Sequence, residues 1–123
     1  MVIDDLTRIS HMLDEAQAAV SFCQGMAFDQ FRCDRKTTNA TVRSLEIIGE
    51  AASKVSRSFQ RRHAAISWQD VIAMRNVLAH AYFEVDHEIV WKTVQGDLPP
   101  LIEASKQYWR KRNNHPTYGI RYS

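Results

Sequence analysis

The chain has 123 residues, 45% of them hydrophobic and 24% charged, with a formal net charge of +2. That is one domain of ordinary globular composition, which excludes a disordered chain, a collagen and a coiled-coil rod. Four glycines and three prolines leave few breakers, so helices are expected and a turn-rich β-sandwich is not. No apolar run approaches the roughly 18 residues of a membrane span. Asp4, Asp5 and Arg8 do not suit a signal peptide. Cys23 and Cys33 make neither a disulfide framework nor a Cys-x-x-Cys pair. The expectation is two reduced thiols in a cytoplasmic protein.

Leu6, Ile9, Leu13, Ala16, Val20 and Cys23 recur at helical spacing and predict a first helix over about 4–24, stopped by Gly25. Phe28 and Phe31 predict a short element next. Asp34 is placed to cap a second helix over about 35–60, with Leu45, Ile48, Ala52, Val55 and Phe59 inward. Arg61, Arg62 and His63 suit its negative end. Ser67 and Asp70 resemble a capping box opening a third helix over about 68–82. Asp86 is placed to cap a fourth, which Gly96 closes. Asp97 and the prolines at 99 and 100 then read as the start of a fifth. That helix would run to about Arg112, with Leu98, Leu101, Ile102, Ser105 and Trp109 inward. No segment alternates with period two. The expected fold is all-α, an antiparallel up-and-down bundle of about five helices over 1–112, followed by an irregular basic tail over 113–123.

Charge is unevenly distributed. Residues 1–34 and 67–105 each carry a net −4, and residues 35–66 and 106–123 each carry +5. Arg57, Arg61, Arg62, Lys106, Arg110 and Lys111 in the basic blocks are candidates for guiding a phosphate-bearing partner. Ordinary solvated helix surface is the alternative.

Residues 74–83 place Arg75, Asn76, His80 and Tyr82 in otherwise apolar surroundings. At about 100° per residue, Arg75 and Tyr82 share one stripe and Asn76 and His80 another. Such a set suits RNA cleavage by the 2′-hydroxyl. His80 is an acid or base near neutral pH. Arg75 is a bidentate grip for phosphate oxygens. Asn76 orients the ring or the phosphate. One histidine is short for acid–base work, and a two-fold dimer would supply a second. The alternative is a polar helix end whose Arg75 and His80 pair with carboxylates elsewhere.

Arg75-x4-His80-x-Tyr82, with Asn76 after the arginine, resembles the signature of the HEPN superfamily, and its tyrosine variant resembles HepT of the HepT/MntA toxin–antitoxin systems. Residues 45–52 (LEIIGEAA), Ile66-x-Trp68, Tyr82-Phe83-x-Val85-Asp86, Trp91 and Asp97-Leu98-Pro99 extend the resemblance over about residues 6–110. The bare motif is weakly specific, and the ordered set is strong. Ala73 and Ser67 stand where the family often has Gly and Pro.

The resemblance implies a HEPN-like bundle that forms a homodimer, with the motif helices meeting as a metal-independent endoribonuclease site. It implies a toxin of a type VII-like toxin–antitoxin system acting on cellular RNA, with tRNA the expected class. The implied partner is a minimal, MntA-like nucleotidyltransferase antitoxin that moves AMP from its ATP to Tyr82. The toxin itself would need no cofactor. An adenylyl group on the Arg75 stripe would bring an anionic phosphate to Arg75 and a purine into the groove. Catalysis is assigned to Arg75, His80 and Asn76, and modification to Tyr82. The competing reading is a non-catalytic HEPN module that binds nucleotide or a nucleotidyltransferase partner.

His80, Glu84 and His87 have metal-ligand spacing only on one unbroken helix, which Val85-Asp86 argues against. His63 and His115 are expected to be exposed. Trp68, Trp91 and Trp109 are expected to anchor the core. Residues 45–52 are expected in the core or a dimer interface, with Gly49 allowing close helix approach.

Overall fold

In the computed structural model, residues 4–76 and 85–113 are described, with side chains through Arg110. His80, Tyr82, Glu84 and segment 114–123 lie outside the described residues, as does the side chain of Lys111.

The Asp4 carboxylate accepts from the Thr7 N–H at 2.7 Å and starts α1 (Asp5–Phe22). Gly25, at φ +78°, ends the turn that follows, a left-handed conformation that glycine adopts without strain. After α2 (Phe28–Cys33), Asp34 accepts from the Thr37 N–H at 3.0 Å and caps α3 (Arg35–Ser53), as expected. Ser56 then caps α4 (Arg57–Arg62), and Trp68 opens α5 (Trp68–Ala73). A single tighter turn over Met74–Asn76 continues from α5. Asp86 accepts from the Ile89 N–H at 3.1 Å and caps α6 (His87–Lys92). A wide π turn over Thr93–Asp97 joins it to α7 (Leu98–Asn113). All regular structure among the described residues is helical, so the fold is an all-α bundle of the HEPN-like kind.

Helix α1 packs on both α3 and α7, while α5 and the turn after it pack on α3. Ile9 and Met12 of α1, Leu45 and Ile48 of α3, and Leu98 of α7 are fully buried at the centre. Polar residues on the buried side of α3 are satisfied, as burial requires. Thr38 donates to the Phe31 carbonyl at 2.9 Å, Thr41 to the Thr37 carbonyl at 2.8 Å, and Ser44 to the Glu15 carboxylate of α1 at 3.0 Å.

Several sequence expectations are corrected. The inward stripe of α1 is Ile9, Met12, Ala16, Ala19 and Cys23, whereas Leu6, Leu13 and Val20 sit at its half-buried margin. The helix expected over 35–60 is two helices. The Ser56 hydroxyl accepts from the Phe59 N–H at 3.2 Å, and its N–H and hydroxyl reach the Asp5 carboxylate at 2.9 and 2.7 Å. Those bonds reward a break more than continued helix would. Ser67 makes no capping bond, and α5 is instead anchored by the Trp68 indole donating to the His63 carbonyl at 3.1 Å.

Gly96 closes nothing, and Asp97 caps nothing. The helix runs on through the π turn, in which the Leu98 N–H reaches the Thr93 carbonyl five residues back. Pro99 and Pro100 have no N–H for the carbonyls four residues back, and their rings crowd those carbonyls. A wider turn ahead of them accommodates both effects. Near the end of α7, Tyr108 is buried and Trp109 only half-buried.

Candidate active site and its flanking groove

The site is built on the last third of α3. Ile48 and Ala52 lock that part of the helix into the core. Between them, Gly49 lies directly beneath the turn carrying Arg75. A Cβ at residue 49 would collide with the Arg75 backbone nitrogen, and would lie 2.7 Å from the Arg75 Cβ and 2.8 Å from the Ile72 carbonyl oxygen. The absence of a side chain at 49 therefore sets how closely the motif segment approaches α3. The tightening from α5 into the Met74–Asn76 turn occurs where the two backbones meet. Met74 points into the core, leaving Arg75 and Asn76 exposed.

Of the helix expected over 68–82, residues 68–76 are helical with a tighter last turn, and 77–82 lie outside the described residues. The turn at 74–76 has about three residues per turn in place of the 3.6 of an α-helix. The structure places Arg75 and Asn76 side by side. His80 and Tyr82 fall outside the described residues.

Arg75 has a partner that the sequence reading did not name. Its Nη1 donates to Glu50 Oε1 at 3.3 Å, joining α3 to the motif turn. This matches part of the alternative in which Arg75 pairs with a carboxylate. The contact is a single point, however, and the Arg75 side chain remains 40% exposed. A guanidinium has five N–H donors in a planar fork, so one bond to Glu50 leaves an edge for a phosphate. The signal for Glu50 was present in the sequence, directly after Gly49.

An open groove nearby is lined by residues of α3, α4, α5 and the turn that joins α3 to α4. Ser53, one turn beyond Glu50, and Ile72, one turn before Arg75, both line it. Val55 and Trp68 complete an apolar floor, and Arg57 and Arg61 line the α4 side. The structure thus brings two of the six basic candidates to the groove.

The other four are placed differently. Arg62 covers the Phe59 ring, with 5.8 Å from its guanidinium carbon to the centroid, and bonds Ser58 at 3.4 Å. Lys106, Arg110 and Lys111 lie on α7, the Lys111 side chain being outside the described residues. Tyr108 connects that helix to α4, with its ring 6.1 Å from Phe59 and 4.2 Å from His63. His63, expected to be exposed, is instead half-buried in a three-ring cluster, 4.2 Å from Phe59 as well. Burial raises the Tyr108 phenol above its usual range.

Among the described residues, no three His, Cys, Asp or Glu side chains are grouped closely enough to hold a metal ion. His87 packs edge-on to Phe31 at 6.4 Å. Trp91 is half-buried, with its ring 5.2 Å from that of Phe31.

The family profile described as "HepT-like: Ribonuclease HepT-like" matches residues 12–108. The chain belongs to the HepT-like ribonuclease family. A protein described as "probable ribonuclease HepT" from Thermococcus cleftensis is 39% identical over 99 residues, covering 80% of this chain and 84% of the relative. A candidate RNase from Caldanaerobacter subterraneus is 35% identical over 103 residues, covering 84% and 92%. One from Methanocaldococcus jannaschii is 34% identical over 96 residues, covering 78% and 79%. No solved structure matches the chain. The HepT-like match spans the residues of α3, of the Gly49–Arg75 contact and of the groove.

Proposed function

We propose that this HepT-like chain is a metal-independent endoribonuclease, the toxin of a type VII-like toxin–antitoxin pair, acting on cellular RNA with tRNA the leading class. Family membership supports the reaction class. The observation that carries the site assignment is the exposed Arg75–Asn76 pair, fixed against α3 at Gly49 with guanidinium donors to spare.

In the proposed reaction, the 2′-hydroxyl of one nucleotide attacks the adjacent phosphorus, and the 5′-oxygen of the next nucleotide leaves. The products are a 2′,3′-cyclic phosphate and a 5′-hydroxyl. Arg75 stabilises charge on the pentavalent phosphate, where a preorganised donor counts most. His80 moves the proton, and Asn76 orients it. A homodimer supplies a second His80, so that one imidazole acts as base and the other as acid.

Silencing is assigned to Tyr82. Its phenol oxygen attacks the α-phosphorus of the partner's ATP, a new P–O bond forms, pyrophosphate leaves and the phenolic proton is released. The partner is a minimal, MntA-like nucleotidyltransferase antitoxin, and the pair works in the cytoplasm. None of the described helices is long and apolar enough to cross a membrane.

The test compares total-RNA cleavage by wild type and Arg75→Ala, before and after incubation with the nucleotidyltransferase and ATP. Cutting should fall at least ~100-fold in Arg75→Ala while its melting temperature holds, since one transition-state donor is worth about that much. Adenylylation should add AMP mass to wild type and not to Tyr82→Phe, and should abolish cutting only where mass is added. Cutting unaffected by Arg75→Ala would refute the site.

A further inference from the structure

We propose that the groove between α4 and α5 is a binding site for single-stranded RNA flanking the scissile phosphate, with the backbone phosphates of that strand held by Arg57 and Arg61. The inference rests on the nuclease reading above and gives that reading a strand path. Three observations carry it.

The first is position. Ser53 and Ile72 line the groove, and each lies one turn along its own segment from a member of the Glu50–Arg75 pair, so the groove neighbours the motif arginine.

The second is charge. Arg57 and Arg61 are four residues apart on α4 and therefore share one face. None of the lining residues is acidic, and among the described residues neither arginine has an acidic partner. Two unneutralised guanidiniums beside each other cost free energy through repulsion, and a polyanion relieves it.

The third is the chemistry of the floor and rim. Val55 and Trp68 are buried beneath the floor, and the half-buried Ile72 is the apolar side chain there that a sugar or an unstacked base can cover. The Gln60 side-chain N–H is committed to the Val55 carbonyl at 3.1 Å, which fixes its oxygen as an acceptor at the rim. Gln69, exposed on α5, adds a free amide. A flanking base thus meets fixed and adaptable amide groups, whereas a purely ionic surface would offer only charge.

The test measures binding of a short fluorescein-labelled single-stranded RNA by His80→Ala, which removes cutting, across about 50 to 200 mM NaCl. The same measurement is made with Arg57→Ala/Arg61→Ala added, and separately with Arg35→Ala/Lys36→Ala added. Arg35 and Lys36 are exposed at the start of α3 and carry the same charge. The groove pair should weaken binding and lower the slope of log affinity against log salt by about 0.7 per lost phosphate contact, or about 1.4 in all. The control pair should leave the slope near its original value.

Equal slope changes from both pairs would mean that general charge binds the RNA and would overturn the groove. An unchanged slope from the groove pair would overturn it as well. A groove-dependent slope in a wild-type chain that cuts nothing would retain the groove and refute the nuclease reading. Wild-type cutting with an unaltered slope would do the reverse. RNA binding by neither wild type nor His80→Ala would refute both, and a protein partner would become the candidate occupant.

Discussion

Gly49→Ala tests the contact on which the site is built. The added Cβ would meet the Arg75 backbone nitrogen, and would lie 2.8 Å from the Ile72 carbonyl oxygen, where ordinary contact begins near 3.4 Å. These are backbone atoms, so no rotamer change clears them. Helix α3 cannot recoil either, because Leu45, Ile48 and Ala52 are fully buried around the site. The motif turn must therefore move by more than about 0.7 Å, the shortfall of the 2.7 Å Arg75 Cβ contact from the 3.4 Å of ordinary contact, because the Arg75 nitrogen is closer still.

Overpacking of this kind costs about 1–3 kcal/mol. Alanine in place of glycine within a helix returns about 1 kcal/mol. The net expectation is a loss of about 1 kcal/mol, or about 4 °C in melting temperature for a chain of this length. Cleavage should suffer more, because a displacement near 1 Å at a positioning group costs about 100-fold. We expect at least a ~10-fold loss of rate at a temperature where the variant is fully folded. The assay pairs thermal unfolding with RNA cleavage. A Gly49→Ala variant with wild-type melting and wild-type rate would refute the close approach, and with it the claim that α3 positions Arg75.

Three further outcomes follow from local geometry. Gly96 has no atom within 4 Å of a built Cβ and lies in the helical π turn, so Gly96→Ala should raise stability by up to about 1 kcal/mol, read as a higher melting temperature. The Asp34 carboxyl is held below its usual range by accepting hydrogen bonds at the start of α3, chiefly from the Thr37 backbone. A depressed folded pKa means that this stabilisation is present above the unfolded value of about 3.9 and is lost as pH falls through the folded value. Acid unfolding should therefore be shallower below about pH 4 in Asp34→Asn than in wild type, and identical profiles would contradict the cap. Glu50→Gln should change melting little, since exposed ion pairs contribute at most about 1 kcal/mol. It should also tighten RNA binding by removing a carboxylate that competes with phosphate for Arg75, and weaker binding would contradict that role.

The sequence disclosed the features of the fold that local chemistry decides. Asp34, Asp86 and Gly25 do what their side chains, or the lack of one, predict, because caps and left-handed turns depend on a few neighbouring residues. Tertiary contacts decided the rest. Leu13 and Met12 both lie on apolar columns of α1, and only the packing of α3 and α7 selects the Met12 column for the core. The break at Lys54–Ser56 depends on Asp5, 51 residues away from Ser56. The π turn depends on two prolines whose effect falls on carbonyls behind them. At the site, Arg75 and Asn76 stood out as polar residues in an apolar run, and Gly49 as a point of close approach. That Gly49 faces Arg75, that Glu50 pairs with it, and that Arg57 and Arg61 share a groove with Ser53 and Ile72 are facts of chain packing that periodicity does not encode.

The central claim is a metal-independent nuclease centred on the motif. The most direct measurement is cleavage of total RNA, in the presence of EDTA, by chain expressed without a nucleotidyltransferase, beside His80→Ala prepared identically. Intact mass first verifies that Tyr82 is unmodified. The account predicts cutting by wild type and none by His80→Ala, with both proteins folded. Equal cutting by the two, or none by clean, unmodified, dimeric wild type, would contradict it.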